Sequence, residues 1–344
     1  MALRKARGVV ASSADVEAAA DELLAKGNAV DGMVAGVFAA CASSPGVLLG
    51  PVQILVGGAG AGLLAIDGRL RQPGLGAPRP RGFVEGEAIP EAARIGVPWL
   101  PAALSVAIAT SGSATFAQVL APAISLAKGT PRKEALSRIA SQGPRALEER
   151  LFAGELLAVA GRPSGGLLTQ ADLATPSPTV VKATSLAVAG SDGPRRIAVL
   201  PWARIDASAP AAPAAPEEVV DVARTRVVIT VDRNATFAMA CWEETEGGLL
   251  VETLALRAPL AAEPVRRGQT RVKPGDARPA ASPFALVGRD APELGIAAYG
   301  AADAYDVLRD AIENALGEGR IEGRGAARVL ALSHASGAAT AFRS

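Results

Sequence analysis

The chain of 344 residues holds one histidine, His334, so a Ser-His-acid triad would have to be built on it, and a His-rich metal site is excluded. In Leu332-Ser333-His334-Ala335-Ser336-Gly337 it reads as the turn residue of a terminal hairpin. Two cysteines, Cys41 and Cys241, make neither a disulfide framework nor a structural zinc site, and their apolar neighbours mark them as small buried hydrophobes. The pairs Ser12-Ser13 and Ser43-Ser44 suit helix caps or loop hydroxyls better than nucleophiles. Glu217-Glu218, and Glu243-Glu244 with Glu246, offer paired carboxylates of the kind that general acid–base chemistry uses; in their turn-like surroundings they read as solvated charges. Gly60-Ala61-Gly62-Leu63-Leu64-Ala65 loosely matches a dinucleotide fingerprint, yet a strand follows it instead of a helix, and no Walker A sequence occurs. No cofactor and no metal are expected.

Composition narrows the classes further. Hydrophobic residues make up 49% and charged residues 20%, a globular balance that rules out general disorder. Thirty-five Lys and Arg against 34 Asp and Glu give a net charge of +1, without a pull toward nucleic acid or an anionic membrane. Aromatic residues at 3% leave no stacking platform for single strands. The most apolar stretch, from Met33 toward Ile66, is broken by Ser43-Ser44-Pro45, Pro51, Gln53 and several glycines, so no membrane insertion is expected. Gly8–Ser13 is too short and polar for a signal sequence, and the expected location is cytoplasmic.

The elements that must carry any site follow from caps and periodicity. Ser12 or Ser13 begins a helix with Asp15 and Glu17 in its first turn, which stops at Gly27-Asn28. A second helix, about Val30–Ala42, is apolar nearly all round and must be buried. Val52–Val56 and Leu63–Ile66 read as strands joined by a glycine run, with Asp67-Gly68 as a tight hairpin turn. Arg69–Pro90 is a loop, Pro101–Gly161 has a helical period in about four segments, and Thr169 caps a short helix at Gln170–Ala174. Short β-prone pieces follow at Thr179–Val181 and Ile197–Leu200, then the low-complexity run Ala207–Pro216, an exposed linker or loop. Strands are expected at Thr225–Val231, Ala235–Cys241, Gly248–Leu256, Pro283–Val287, Leu294–Ala298, Ala327–Leu332 and Ala338–Phe342, with a helix at about Ala301–Leu316. Helices first and strands later suggest sheets packed against helical layers.

Five blocks in order resemble the gamma-glutamyltranspeptidase family. Arg7–Ser13 followed by Gly27-Asn28-Ala29-Val30-Asp31 is similar to its "GxVAss" strand and "GGNAVDAAVA" helix start. Gly57–Gly62 before Asp67-Gly68 resembles "GGGGF…yd", Val97-Pro98 resembles "VPG", Leu120–Ala127 resembles "l.PAI.LA", and Gly165–Ala174 resembles "GG.lt.eDLa". The resemblance implies an α+β fold, the four-layer αββα sandwich of N-terminal-nucleophile hydrolases with mainly antiparallel sheets. It also implies self-cleavage before a threonine whose freed amine then serves as base, so that no histidine is needed. Residues 1–200 would form a large-subunit-like half, 201–222 an Ala/Pro-rich linker replacing the family's helical insert, and 223–344 a small-subunit-like half of one globular domain.

The functional positions follow only through this resemblance. Thr225-Arg226-Val227-Val228-Ile229-Thr230-Val231-Asp232 lies on "TTHfSVVD" with Thr225 as nucleophile if the following turn is two residues shorter; without that gap Ala223 takes the position. The arginine of "RE.AP" falls near Gly74 when Ala77-Pro78 is the anchor, with Arg71 or Arg79 as substitutes. The acidic "NNeMDdF" patch corresponds to Glu252–Leu256 without its acid pair, and the serine pair of "PGKRPLSSMSP" to Ala280-Ala281, with Ser282 kept beside them. Gly300 is the glycine retained from the oxyanion segment. A zwitterionic glutamyl group requires a fixed cation and fixed anions, which these replacements remove. Two readings stand. In the first, a degenerate relative has lost glutamyl chemistry and serves as a binding or structural subunit, with a protein partner or as a homo-oligomer. In the second, a self-processing amide hydrolase or acyltransferase uses Thr225 on a less charged substrate.

Overall fold

The computed structural model describes residues 6–58, 60–78, 82–174, 177–205, 212–216, 220–335 and 337–344. Along the chain, β1 (Gly8–Ala11) leads into α1 (Ala14–Lys26), α2 (Ala29–Ser43), β2 (Val52–Gly58) and β3 (Gly62–Gly68). A helical stretch follows: α3 (Leu100–Ser111), α4 (Phe116–Leu126), α5 (Arg132–Gln142), α6 (Arg150–Ala160) and the single turn α7 (Gln170–Leu173). Next come β4 (Val180–Lys182), β5 (Thr184–Gly190), β6 (Gly193–Val199) and two-residue strands β7 (Arg204–Ile205) and β8 (Pro213–Ala214). The last third holds β9 (Thr225–Val231), β10 (Phe237–Glu243), β11 (Leu249–Val251), β12 (Leu256–Ala258), β13 (Phe284–Gly288), β14 (Pro292–Tyr299), α8 (Ala304–Gly317), β15 (Arg328–Ala335) and β16 (Ala338–Arg343).

Two six-stranded antiparallel sheets form the centre, in the orders β1-β9-β10-β2-β3-β4 and β16-β15-β14-β13-β6-β5. Strands from before and after residue 222 share both sheets. Three cores fix four layers. One joins the helices to the outer face of the first sheet, through Met33, Phe38, Leu120 and Phe152 against Ile54, Val228 and Ala240. A second lies between the sheets, where Leu55, Ile229, Phe237 and Met239 meet Phe284, Leu286 and Leu332. The third packs α8, through Leu308 and Ile312, on Ile197, Ile296 and Val329. The α+β, αββα architecture is that expected, with mainly antiparallel sheets.

Several blocks of the resemblance have structural explanations. Asn28 accepts the N–H groups of Val30 and Asp31 at 2.9 and 3.1 Å, and the Asp31 carboxylate accepts the Asn28 N–H at 2.8 Å, a reciprocal cap on α2. Asp31, wholly buried, also accepts the N–H groups of Ser113 and Ala114, each at 3.0 Å, and so ties α2 to the α3–α4 turn. Asp172 works likewise: Thr169 and Asp172 cap α7 reciprocally, and the same carboxylate holds the Gly74 and Leu75 N–H groups at 2.9 and 3.0 Å.

Other expectations need correction. Asp67-Gly68 is not a hairpin turn: both residues complete β3, opposite Gln53 and Val52, and the chain reverses at the Gly58–Gly62 glycines. The Asp67 carboxylate belongs to a buried ion cluster, so the turn-like dipeptide serves a strand end. The piece expected at Gly248–Leu256 is split by a tight turn at Glu252–Leu254, with Ala255 in the left-handed region at φ 49°. His334 lies within β15 opposite Ala339, not in the turn, and its Nε2 is 3.2 Å from the Ala6 carbonyl. The first half of the Ala207–Pro216 run lies outside the described residues, as do Glu217, Glu218 and Arg79; the second half is not the exposed linker expected, since Ala212 is buried against α8 and its sheet and Pro213–Ala214 pairs with Arg204–Ile205. Among the described residues no helix is long and apolar enough to cross a membrane.

Candidate functional site

Strand register brings together a row of side chains whose spacing along the sequence gives no hint of it. Side chains alternate across a strand, so Thr225 shares the inter-sheet face of β9 with Val227, Ile229 and Val231. Thr225 pairs with Glu243, Val227 with Cys241, Cys241 with Gln53, and Gln53 with Asp67. Four neighbouring strands are thus apolar along this inner face and turn polar at one end. The residues there are Thr225, Glu243, Gln53 and Asp67.

The segment before β13 closes over that end. Ala281 donates its N–H to Glu243 Oε1 at 3.1 Å, and its carbonyl accepts from Gln53 Nε2 at 2.7 Å and from Cys241 Sγ at 3.6 Å. Trp202 Nε1 donates to Gln53 Oε1 at 2.5 Å, and Ser282, itself buried, donates its N–H to the Tyr305 hydroxyl at 2.7 Å. The backbone N–H and C=O of this one residue therefore satisfy three polar side chains that would otherwise lack these partners. Beyond it, a cavity of about 440 Å³ is lined by Arg69, Trp202, Ala280, Ser282 and Tyr305.

Thr225 has no exposed surface. Its hydroxyl donates to the Val222 carbonyl at 2.7 Å, closing the tight turn Val222–Arg224 that precedes β9. Ala223, the alternative alignment, lies inside that turn and off the strand. The Arg224 carbonyl, on the peptide bond preceding Thr225, accepts the Glu244 N–H at 3.0 Å. Gly300 ends β14 in the left-handed region at φ 85°, with nothing near the position a Cβ would take. The Val222–Arg224 turn lies against β14.

Electrostatics divide the row in two. At the β3 end, burial pushes the Asp67 carboxyl up, but hydrogen bonds from Arg69 and the charges of Arg69 and Arg71 outweigh it and hold the group below the usual carboxylate range. Arg69 grips Asp67 through Nε and Nη2, both at 2.9 Å, and Arg71 adds Nη2 at 2.8 Å. The guanidinium of Arg71 stacks on Trp99 at 3.9 Å and that of Arg69 on Trp202 at 4.9 Å. At the β10 end, burial pushes the Glu243 carboxyl up to about 7, with the Ala281 N–H opposing. Burial also raises the Cys241 thiol well above its ordinary value, which keeps it inert.

Of the residues singled out from sequence, Thr225, paired with Glu243, and Ser282, next to the Ala281 that bonds Glu243, lie at this end of the sandwich. Arg71 is bound to Asp67, and Gly74 faces away, its N–H held by Asp172. The 252–256 segment sends Leu254 and Leu256 into the helical core. Glu243 corrects the solvated reading of its acidic run: it ends a strand on the inner face and is half-buried, whereas Glu246 is exposed. Arg69 was masked by the choice of anchor. "RE.AP" puts its arginine four residues before a proline, and Arg69-Leu70-Arg71-Gln72-Pro73 meets that spacing as directly as Gly74–Pro78. No local signal marks Gln53, Trp202 or Tyr305: strand register places the first, and the turn after β6 and helix α8 bring the other two to it and to Ser282. Among the described residues no group of three or more His, Cys, Asp or Glu suits a metal.

The sequence matches no protein-family model and no curated protein. Solved structures do match. Cephalosporin acylase from Bacillus halodurans superposes with a TM-score of 0.69 at 16% identity, over 91% of this chain and 80% of its own. A structure of LmbA2991 gives 0.72 at 15% identity, over 98% and 97% respectively. Gamma-glutamyltranspeptidase from Helicobacter pylori aligns over 56% of this chain and 69% of its own, at 19% identity and a TM-score of 0.49. Likeness at the identities of the first two speaks to architecture: the chain has the αββα fold of the N-terminal-nucleophile hydrolases.

Proposed function

We propose that this chain is a gamma-glutamyltranspeptidase-like protein that has lost glutamyl transfer and hydrolysis and serves as a binding or structural subunit, with a protein partner or as a homo-oligomer. The observation that carries the reading is the Ala281 backbone bonded to Glu243, Cys241 and Gln53 while Thr225 has no exposed surface. A glutamyl carboxylate would need a guanidinium to itself, and both Arg69 and Arg71 are bound to Asp67. Ala280 and Ala281 offer no hydroxyl at the serine-pair positions. The purified protein should release no nitroaniline from gamma-glutamyl-4-nitroanilide, with or without a dipeptide acceptor; release that vanishes in Thr225→Ala would overturn the reading.

One observation favours a second reading, a self-processing amide hydrolase or acyltransferase. The Arg224 carbonyl receives the Glu244 N–H, as a developing oxyanion would require, and the Glu243 carboxyl titrates near neutrality across the strand pair from Thr225. In that chemistry the Thr225 hydroxyl attacks the Arg224 carbonyl carbon and the Arg224–Thr225 C–N bond breaks. The hydroxyl proton passes to the leaving amine. Water then hydrolyses the ester, leaving a carboxylate on Arg224 and a free amine on Thr225. The product would act on a less charged amide.

A further inference from the structure

A second cavity, of about 730 Å³, lies at the outer end of β10 against the 259–264 loop, within the size range of small-ligand sites. Arg94 lines it and is half-buried, with a buried Nε that has no hydrogen-bond partner among the described residues. Its backbone is pinned: the Arg94 carbonyl accepts the Ala262 N–H at 2.7 Å, and Ile95 bridges to Leu260. Two other guanidiniums on the wall are engaged within the protein. Arg224 Nε meets Asp221 at 2.6 Å, and Arg278 Nε donates to the Ala261 carbonyl at 2.9 Å. Arg266 is exposed to water. A partly desolvated guanidinium is stabilised by the charge of a bound anion, and a carboxylate fits a guanidinium edge through two parallel bonds.

We propose that this cavity binds a small organic monocarboxylate, with its carboxylate on Arg94 and its uncharged body against Pro259, Leu260 and Pro264. The wall selects this class. Its apolar stretch accommodates an aliphatic or aryl body, which an organic carboxylate carries and inorganic phosphate lacks, and Asp221 and Glu263 on the same wall are paired with Arg224 and Arg278. The cavity is separate from the one beside Arg69; Arg224 and Glu243 line it, but binding on Arg94 requires no chemistry at Thr225, so its test does not depend on the proposed loss of activity.

The test is a titration of the ¹⁵N-labelled full chain with sodium pentanoate, pentanamide and inorganic phosphate, following the Arg94 Nε–Hε resonance identified by its loss in Arg94→Gln. The expected result is a saturable shift with pentanoate and none with pentanamide. Pentanoate affinity, followed through backbone amides of the 259–264 loop, should fall at least ten-fold in Arg94→Gln and partially in Arg94→Lys, which keeps the charge without the fork. Three results would overturn the proposal: no saturable shift with pentanoate, equal affinity in Arg94→Gln, or stronger binding of phosphate than of pentanoate. Should Arg94→Gln not fold, the Arg94→Lys affinity and the wild-type shifts decide by the same criteria.

Discussion

Carboxylates account for much of what is specific in this chain, and their environments separate structural groups from reactive ones. Asp31 accepts backbone donors from its own helix start and from the turn beyond α3 while wholly buried. Asp31→Ala strands those donors, and the expected loss is about 2–4 kcal/mol of unfolding free energy by urea denaturation. Glu243 behaves oppositely. Its folded carboxyl titrates near 7, above the ordinary value of 4.5, so between those pH values the folded state holds the extra proton. Its contribution to stability is therefore greatest at acid pH and is lost as pH rises through about 7. Urea melts at pH 5 and pH 8 should show that Glu243→Gln, which keeps an acceptor for the Ala281 N–H, declines less over this interval than the wild type. An equal decline in both proteins would refute the assignment.

Elements were legible where a cap coincides with a period. Asn28 with Asp31, Thr169 with Asp172, and the apolar run of α2 mark their helices from sequence, because those signals are local. The site was not, because it arises from register. Nothing local distinguishes Glu243 at a strand end from Glu246 three residues on, and Gln53 reads only as a polar break in an apolar stretch until β2 pairs with β10. Asp67-Gly68 resembles a turn for its composition, yet its carboxylate is held by two arginines from the following residues. The β9–β10 hairpin illustrates a local signal that does hold. Asp232 Oδ1 accepts the N–H groups of Asn234 and Thr236 at 2.8 and 3.1 Å, and Ala235 takes φ 59°. Ala235→Gly removes the Cβ conflict of that left-handed residue and should raise stability by up to about 1 kcal/mol in the same assay.

At the scale of the whole molecule, the sandwich depends on close approach of its sheets. A Cβ on Gly295 would come within 2.8 Å of Ile229 and 3.2 Å of the Met239 sulfur, so β14 meets β9 and β10 without room for a side chain. Gly295→Val should cost about 1–3 kcal/mol by thermal or urea unfolding, through overpacking between the layers. At the polar end of the inner face the Ala281 backbone bridges the layers, its N–H on Glu243 and its carbonyl on Gln53. The central claim is that this fold persists without the chemistry its architecture can host. Intact-mass spectrometry of the purified chain tests it most directly. The expected spectrum is one uncut mass that is unchanged after exposure to an amide-mimic electrophile. Two fragments divided between Arg224 and Thr225, absent in Thr225→Ala, would contradict it.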